Sequence, residues 1–143
     1  MINNNIAVLI PCYNEESTIL SVVNDFKNTL PEAVVYVYDN ASTDNTSKVA
    51  KSAGAIVRAE TKKGKGNVVS RMFADIEADV YIMVDGDNTY EASKCPEMIN
   101  QLINENLDMV VATRITDNNG GEYRWGHVFG NWILTRSVSL IFG

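Results

Sequence analysis

Short apolar runs alternate along the chain with stretches whose apolar residues recur at helical spacing. The runs are residues 6–10 (Ile-Ala-Val-Leu-Ile), 33–38, 55–59, 80–84 (Val-Tyr-Ile-Met-Val) and 107–112. Rich in β-branched residues, they read as strands, and residues 80–84 as one buried on both faces. Between them Ile19, Val22, Val23, Phe26 and Leu30 mark one helix, and Val68, Val69, Met72, Phe73 and Ile76 another. A shorter helix carries Val49 and Ala50, with Gly54 as its stop residue, and a fourth spans residues 93–106 with Met98, Ile99, Leu102 and Ile103 inward. Asn14 is placed to cap the first helix, and Ser42 or Thr43 the second. Strands alternating with helices predict an α/β fold with a mainly parallel sheet covered on both sides.

The polar residues add a second pattern: they gather where strands end. Tyr13, Asn14 and Glu15 follow the first run and residues 39–46 the second. Lys62-Lys63-Gly64-Lys65-Gly66 follows the third, Asp85-Gly86-Asp87 the fourth, and Arg114 the fifth. In an open parallel sheet these ends share one edge, and ligands bind there. Taken alone, Asp-Gly-Asp fits an ordinary strand-to-turn sequence as well as a cation site. Two carboxylates that close repel each other unless a cation lies between them, and hard oxygen donors suit Mg²⁺ or Mn²⁺. The lysine-glycine loop, alone, fits a solvated basic loop or an anion cradle. The convergence of all these ends favours a divalent cation holding a diphosphate.

Bulk properties narrow the class. A chain of 143 residues is sized for a single domain, residues 1–143, and its formal charge of −6 argues against nucleic acid held by general electrostatics. No apolar segment is long enough to span a bilayer, and no leader pattern opens the chain, so a cytoplasmic location is expected. Cys12 and Cys95 lack metal-ligand spacing and read as reduced thiols, a disulfide being the alternative. His127, the only histidine, reads as a packing or surface residue.

Four motifs in this order resemble family 2 glycosyltransferases: Ile-Pro-Cys-Tyr-Asn-Glu-Glu (residues 10–16), Tyr-Asp-Asn-Ala-Ser-Thr-Asp-Asn-Thr (38–46), Lys-Gly-Lys-Gly-Asn (63–67) and Val-Asp-Gly-Asp (84–87). Within that family the chain looks most like polyprenyl-phosphate enzymes of the dolichol-phosphate mannosyltransferase type. The resemblance implies a three-layer, Rossmann-like GT-A fold, a UDP- or GDP-hexose donor, a Mg or Mn cofactor and inversion at the anomeric carbon. By motif, Pro11, Tyr13, Asn14 and Glu15 would line the nucleoside site and Asp39 would bind base or ribose. Lys65 and Gly66 would lie beside the nucleotide, with Asp85, Gly86 and Asp87 at the diphosphate. Asp85 and Asp87 would flank the metal, Asp87 more directly. Arg114 would add positive charge at the leaving group or hold an acceptor phosphate; its plainer reading is a solvated surface arginine.

Relatives of this kind continue beyond the apolar segment 125–142, so the chain is expected to be the donor-binding part. That segment is expected to form an apolar patch that contacts a membrane surface, at the cytoplasmic face, or a second copy of the chain. Two alternatives stand beside this reading, the second fitting less of the pattern. One is a fragment that binds nucleotide-sugar without turnover. The other is a nucleotidyltransferase, which would place its glycine-rich loop after the first strand, where Pro11-Cys12-Tyr13-Asn14 stands.

Overall fold

The computed structural model describes residues 5–112. They form β1 (Ile6–Cys12), α1 (Ile19–Thr29), β2 (Val34–Asp39), α2 (Thr46–Ser52), β3 (Ile56–Ala59), α3 (Lys65–Asp75), β4 (Val80–Met83) and, after a 3₁₀ turn at Ala92–Lys94, α4 (Cys95–Asn104). The chain divides into two units, Met1–Val110 and Val111–Gly143, and all these elements lie in the first. The four strands are parallel in the order β3-β2-β1-β4. The chain lays strands outward from β1 to β3, then returns to place β4 on the other side of β1. That reversal puts a switch point between β1 and β4, where an open α/β sheet leaves a crevice at its carboxyl edge.

Side-chain alternation along β1 divides the core. Val8, Ile10 and Cys12 face one way, with Val35 and Val37 of β2, and pack under α1 through Ile19, Val22, Val23 and Phe26. Ala7 and Leu9 face the other way, with Tyr38, under Val68, Met72 and Ile76 from α3 and its C-terminal end. The stripe expected for α1 is thus buried, and that of α3 is buried through Val68, Met72 and Ile76 but not at Phe73; the two helices lie on opposite faces of the sheet, and the three layers follow.

Pro11 lies inside β1 rather than ending it. The carbonyl of Cys12 accepts from Asn40 on the β2 side, and that of Leu9 accepts from Val84 on the β4 side (2.9 and 3.1 Å). Successive residues alternate sides, so Pro11 faces β4, which has ended at Met83. The missing N–H therefore costs no ladder bond.

Several expectations need correction. β4 is the margin of the sheet among the described residues, not a strand buried on both faces: Tyr81 and Met83 are 36 % and 42 % exposed. Both share the face of Ala7 and Leu9, which α3 covers. Tyr81 packs edge-to-face on the half-exposed Phe73 of α3, centroids 5.2 Å apart. Residues 107–112 form no strand, and Met109 and Val111 are exposed. α4 ends at Asn104 rather than Asn106; Met98, Ile99 and Leu102 are half-buried and Ile103 is exposed. Asn106, with φ 51°, is left-handed and stops the helix there. Gly54 does stop α2: at φ 84° its N–H reaches the Lys51 carbonyl, and the next N–H reaches that of Ala50.

Candidate functional site

The loops after β1 and β2 are knitted together by the residues their motifs supply. Asn14 donates its N–H to Ser42 Oγ (2.9 Å) and accepts from the Thr43 N–H at Oδ1 (2.8 Å). Glu15 donates its N–H to the buried Thr46 hydroxyl (2.8 Å), and Glu16 donates its own to Asp44 (3.1 Å). The Glu16 carboxylate accepts from both the main-chain and side-chain N–H groups of Asn45 (2.9 Å each). Asn14 therefore does not cap α1, which starts four residues later than that role requires; its left-handed φ of 55° turns it across to the second loop. Ser42 and Thr43 do not cap α2 for the same reason. The N-cap position is Asn45, without a side-chain cap bond, and Asp44 just before it accepts from the Thr46 N–H at 3.0 Å.

Asp39 is buried at the end of β2. Its Oδ1 accepts from the Ser42 N–H (2.8 Å) and its Oδ2 from the Ser47 hydroxyl. Both oxygens are thus already engaged in shaping the loop. The next residue, Asn40, is also buried and reaches the other way. Its amide donates to the carbonyls of Glu60 (3.0 Å) and Lys62 (2.8 Å), and its Oδ1 accepts from the Gly64 N–H (2.7 Å). Asn40 thereby fixes the lysine-glycine loop to the end of β2. Gly64, at φ 120°, adopts a conformation that L side chains rarely reach, and α3 begins at the next residue. A Cβ at Gly66 would meet nothing within 4 Å, so the first turn of α3 is open to an approaching group.

The acidic motif closes the crevice. Lys65, at the start of α3, pairs with Asp85 Oδ1. Asp87 Oδ1 accepts from the N–H and hydroxyl of Thr89 (3.1 and 2.6 Å), a local turn that fixes the carboxylate. Under this motif lies Glu15, whose Oε2 is buried without a hydrogen-bond partner. Burial pushes its carboxyl above the ordinary glutamate range, the adjacent Cys12 thiol pulls it back in part, and Asp87 and Asp85 push it up. The Cys12 thiol, buried beside it and donating to the Ile10 carbonyl at 3.7 Å, is pushed far up as well, chiefly by burial, so it is an inert thiol.

A divalent cation fits this donor set. Asp85 and Asp87 bring two carboxylates to this edge, each held through its Oδ1, by Lys65 and by Thr89. Among the described residues no group of three or more potential ligands is pre-assembled, so a cation here would need ligand or water oxygens to complete its shell.

Of the residues singled out from the sequence, Pro11, Tyr13, Asn14, Glu15, Asp39, Lys65, Gly66, Asp85, Gly86 and Asp87 all lie at or beside this one sheet edge. Tyr13 is half-exposed, with its ring free to meet a ligand. Arg114, His127, residues 117–121 and the apolar segment 125–142 lie outside the described residues. Asn40, Thr46 and Ser47 were not singled out. Each is a small polar residue in a polar cluster, and only its depth in the fold marks it.

A parallel sheet whose switch point carries a carboxylate pair facing a lysine-bearing helix start defines an open α/β domain built to receive a ligand at its strand ends. The chain belongs to glycosyl transferase family 2, whose model matches residues 7–139. It is 58 % identical to protein RfbJ of Shigella flexneri over 123 residues, covering 86 % of this chain and 95 % of that one. It is 37 % identical to glycosyltransferase AglJ of Haloferax volcanii, over 96 % of this chain and 45 % of AglJ. A dolichyl-phosphate hexose transferase of the same organism is 29 % identical, over 98 % of this chain and 60 % of its own length. Among solved structures, glucosyl-3-phosphoglycerate synthase of Mycobacterium tuberculosis, in complex with Mn²⁺, UDP-glucose and phosphoglyceric acid, superposes with a TM-score of 0.62 at 27 % identity. That match covers 69 % of this chain and 39 % of the synthase. The expected GT-A fold is the fold of these neighbours. The chain spans nearly all of RfbJ but about half or less of AglJ and the synthase.

Proposed function

We propose that this chain carries the donor site of an inverting glycosyltransferase that moves a hexose from a UDP- or GDP-sugar to a polyprenyl phosphate. The observation that carries this reading is the meeting of Asp85-Gly86-Asp87, the Lys65 ammonium and the loop after β1 at the switch point of the sheet. Tyr13 would pack against the base. Asp39 would contact base or ribose from the floor of the site, and Pro11, Asn14 and Glu15 would shape the wall behind it. Lys65 and the open backbone at Gly66 would lie along the nucleotide. Asp85 and Asp87 would hold a Mg or Mn ion, whose charge would offset that gathering on the leaving diphosphate.

In the transfer, an oxygen of the acceptor phosphate forms a bond to the anomeric carbon as the bond from that carbon to the diphosphate breaks. The electron pair leaves with the nucleoside diphosphate, and attack from the opposite side inverts the centre. A phosphate monoester, with a second pKa of about 6, is already ionised near neutral pH. It needs cationic groups to hold it and no base to deprotonate it, and Arg114 is our candidate for that role. An acceptor of this kind resides in a membrane, so we assign the protein to the cytoplasmic face of one, with the segment 125–142 as its contact or as a self-association surface. Among the described residues no helix is long and apolar enough to cross a membrane.

The deciding experiment titrates the chain with UDP, GDP and their hexose conjugates, with and without Mn²⁺, and then assays transfer to a short polyprenyl phosphate. Binding and transfer are expected to require the cation. Cation-dependent binding without transfer would assign donor binding alone, a reading that the 45 % coverage of AglJ keeps in view. No binding of any nucleotide would overturn both.

A further inference from the structure

Gly86 sits between the two carboxylates of the acidic motif, and its backbone does not explain why it is glycine. The positive-φ glycines among the described residues are Gly54 and Gly64. The explanation is a close approach. A Cβ on residue 86 would lie 2.2 Å from Glu15 Oε2, 3.0 Å from Glu15 Cδ and 2.7 Å from Cys12 Sγ. The carboxyl group of Glu15 is therefore packed against the α-carbon of Gly86, with the Cys12 thiol beside it.

Glu15 is held where it must be to make that contact. Its N–H is bound by Thr46, which is fully buried, and its carbonyl accepts from the N–H groups of Thr18 (3.1 Å) and Ile19 (3.0 Å) at the entry to α1. Its side chain points inward, so that Oε2 is buried and unpartnered, while the neighbouring Tyr13 ring is left open to solvent. A carboxylate serving a ligand by its charge belongs on the open side; this one fills space beneath a turn. The side chains flanking Gly86 are tied elsewhere, Asp85 to Lys65 and Asp87 to Thr89. The main chain of Gly86 is what joins them, and Glu15 supports it.

We infer that Glu15 is a positioning residue: clamped by Thr46, its carboxyl group braces Gly86 and so sets the separation of Asp85 and Asp87 across which a diphosphate-bound cation is held. The inference rests on the donor-site reading above and assigns Glu15 a task other than contact with the nucleoside.

Two substitutions in the 143-residue chain separate the roles. Glu15→Gln keeps the shape of the brace and removes its charge; Glu15→Ala removes the brace. UDP affinity is measured by calorimetry with and without Mn²⁺. Bracing predicts that Glu15→Ala lowers the Mn²⁺-dependent affinity roughly tenfold or more, the effect expected of a group that orients metal ligands, leaving Mn²⁺-free affinity unchanged. Glu15→Gln retains the Mn²⁺-dependent affinity. Equal losses in the two variants would show that the charge matters, and a loss without Mn²⁺ would show nucleoside contact; either overturns the inference. A second readout needs no ligand. The amide resonance of Gly86 in the metal-free protein is expected to shift or broaden in Glu15→Ala and to hold its place in Glu15→Gln. An unmoved resonance in Glu15→Ala overturns the brace. If the wild-type chain binds neither UDP nor GDP, the donor-site reading fails, and this resonance still decides the contact between Glu15 and Gly86.

Discussion

Replacing Asn40 with alanine removes three hydrogen bonds at once and leaves their main-chain partners behind. Two carbonyls, of Glu60 and Lys62, lose a donor, and the Gly64 N–H loses its acceptor. The bond to Glu60 is fully buried, and the other two are partly so. Each such bond contributes about 0.5–1.5 kcal/mol net, and an orphaned buried partner costs more than the bond itself was worth. Water can reach the two shallower partners, so the sum is held to about 2–3 kcal/mol. For a domain near this size that corresponds to a fall of ~10 °C in Tm. The loss is local in origin, because Asn40 joins the end of β2 to the loop that precedes α3. Trypsin should therefore cut sooner at Lys62 and Lys63 than elsewhere, under conditions where the wild-type loop resists. Urea unfolding measures the stability change and timed proteolysis its location. A change below about 0.5 kcal/mol, the scale of an ordinary surface substitution, with no faster cutting in the loop, would refute the role given to Asn40.

Other predictions rest on separate contacts. Ala41 has a φ of 60°, where a Cβ costs roughly 1–2 kcal/mol and glycine loses about 0.5–1 kcal/mol in unfolded-state entropy. Ala41→Gly should thus stabilise the chain by about 0.5–1 kcal/mol in chemical denaturation, and a destabilised variant would contradict the strain argument. Asp87→Ala should abolish the Mn²⁺-dependent part of UDP binding while leaving the thermal midpoint close to wild type; retention of that binding would remove Asp87 from the cation site. Asp75 accepts from Arg71 (2.7 Å) and from the buried Tyr38 (3.1 Å), and it pairs with Arg58 at 3.2 Å. The Arg71 hydrogen bond, foremost, holds its carboxyl below the ordinary aspartate value of 3.8. An acid that is stronger in the folded state binds fewer protons there than in the unfolded chain. Its contribution is therefore complete above that ordinary value and is lost as pH falls through the lower folded one. Asp75→Asn should flatten the acid limb of the stability curve below about pH 4, and an acid limb as steep as wild type would count against the network.

Much of this fold is legible in residue pattern alone, because the interactions that set it are periodic. The runs that become β1 and β2 are buried by both helix layers, and α1 and α3 meet the sheet through residues that helical spacing marks, Val22, Val23 and Phe26 in one and Val68 and Met72 in the other. The polar strand ends converge because parallel strands place all their carboxyl ends at one edge. Elements whose burial depends on a neighbour are less legible. Residues 80–84 have the composition of a central strand, yet among the described residues β4 stands at the sheet margin, with Tyr81 and Met83 partly open. Composition records which surface a strand can bury, not which element arrives to cover it.

The same division runs through the site. Asp85-Gly86-Asp87, Lys65 and the residues after β1 stand together for a reason that strand order and hydrophobic periodicity already contain, so the sequence by itself determined which charges meet at that edge. What each polar side chain does at that edge was decided only by tertiary structure. Asn14 joins two loops rather than capping a helix, Asn40 fastens a third, and Glu15 lies under Gly86 instead of facing the opening. These assignments turn on hydrogen bonds and contacts between segments far apart in the chain. A polar residue has several partners of nearly equal energy within its reach, and only the packed fold selects among them.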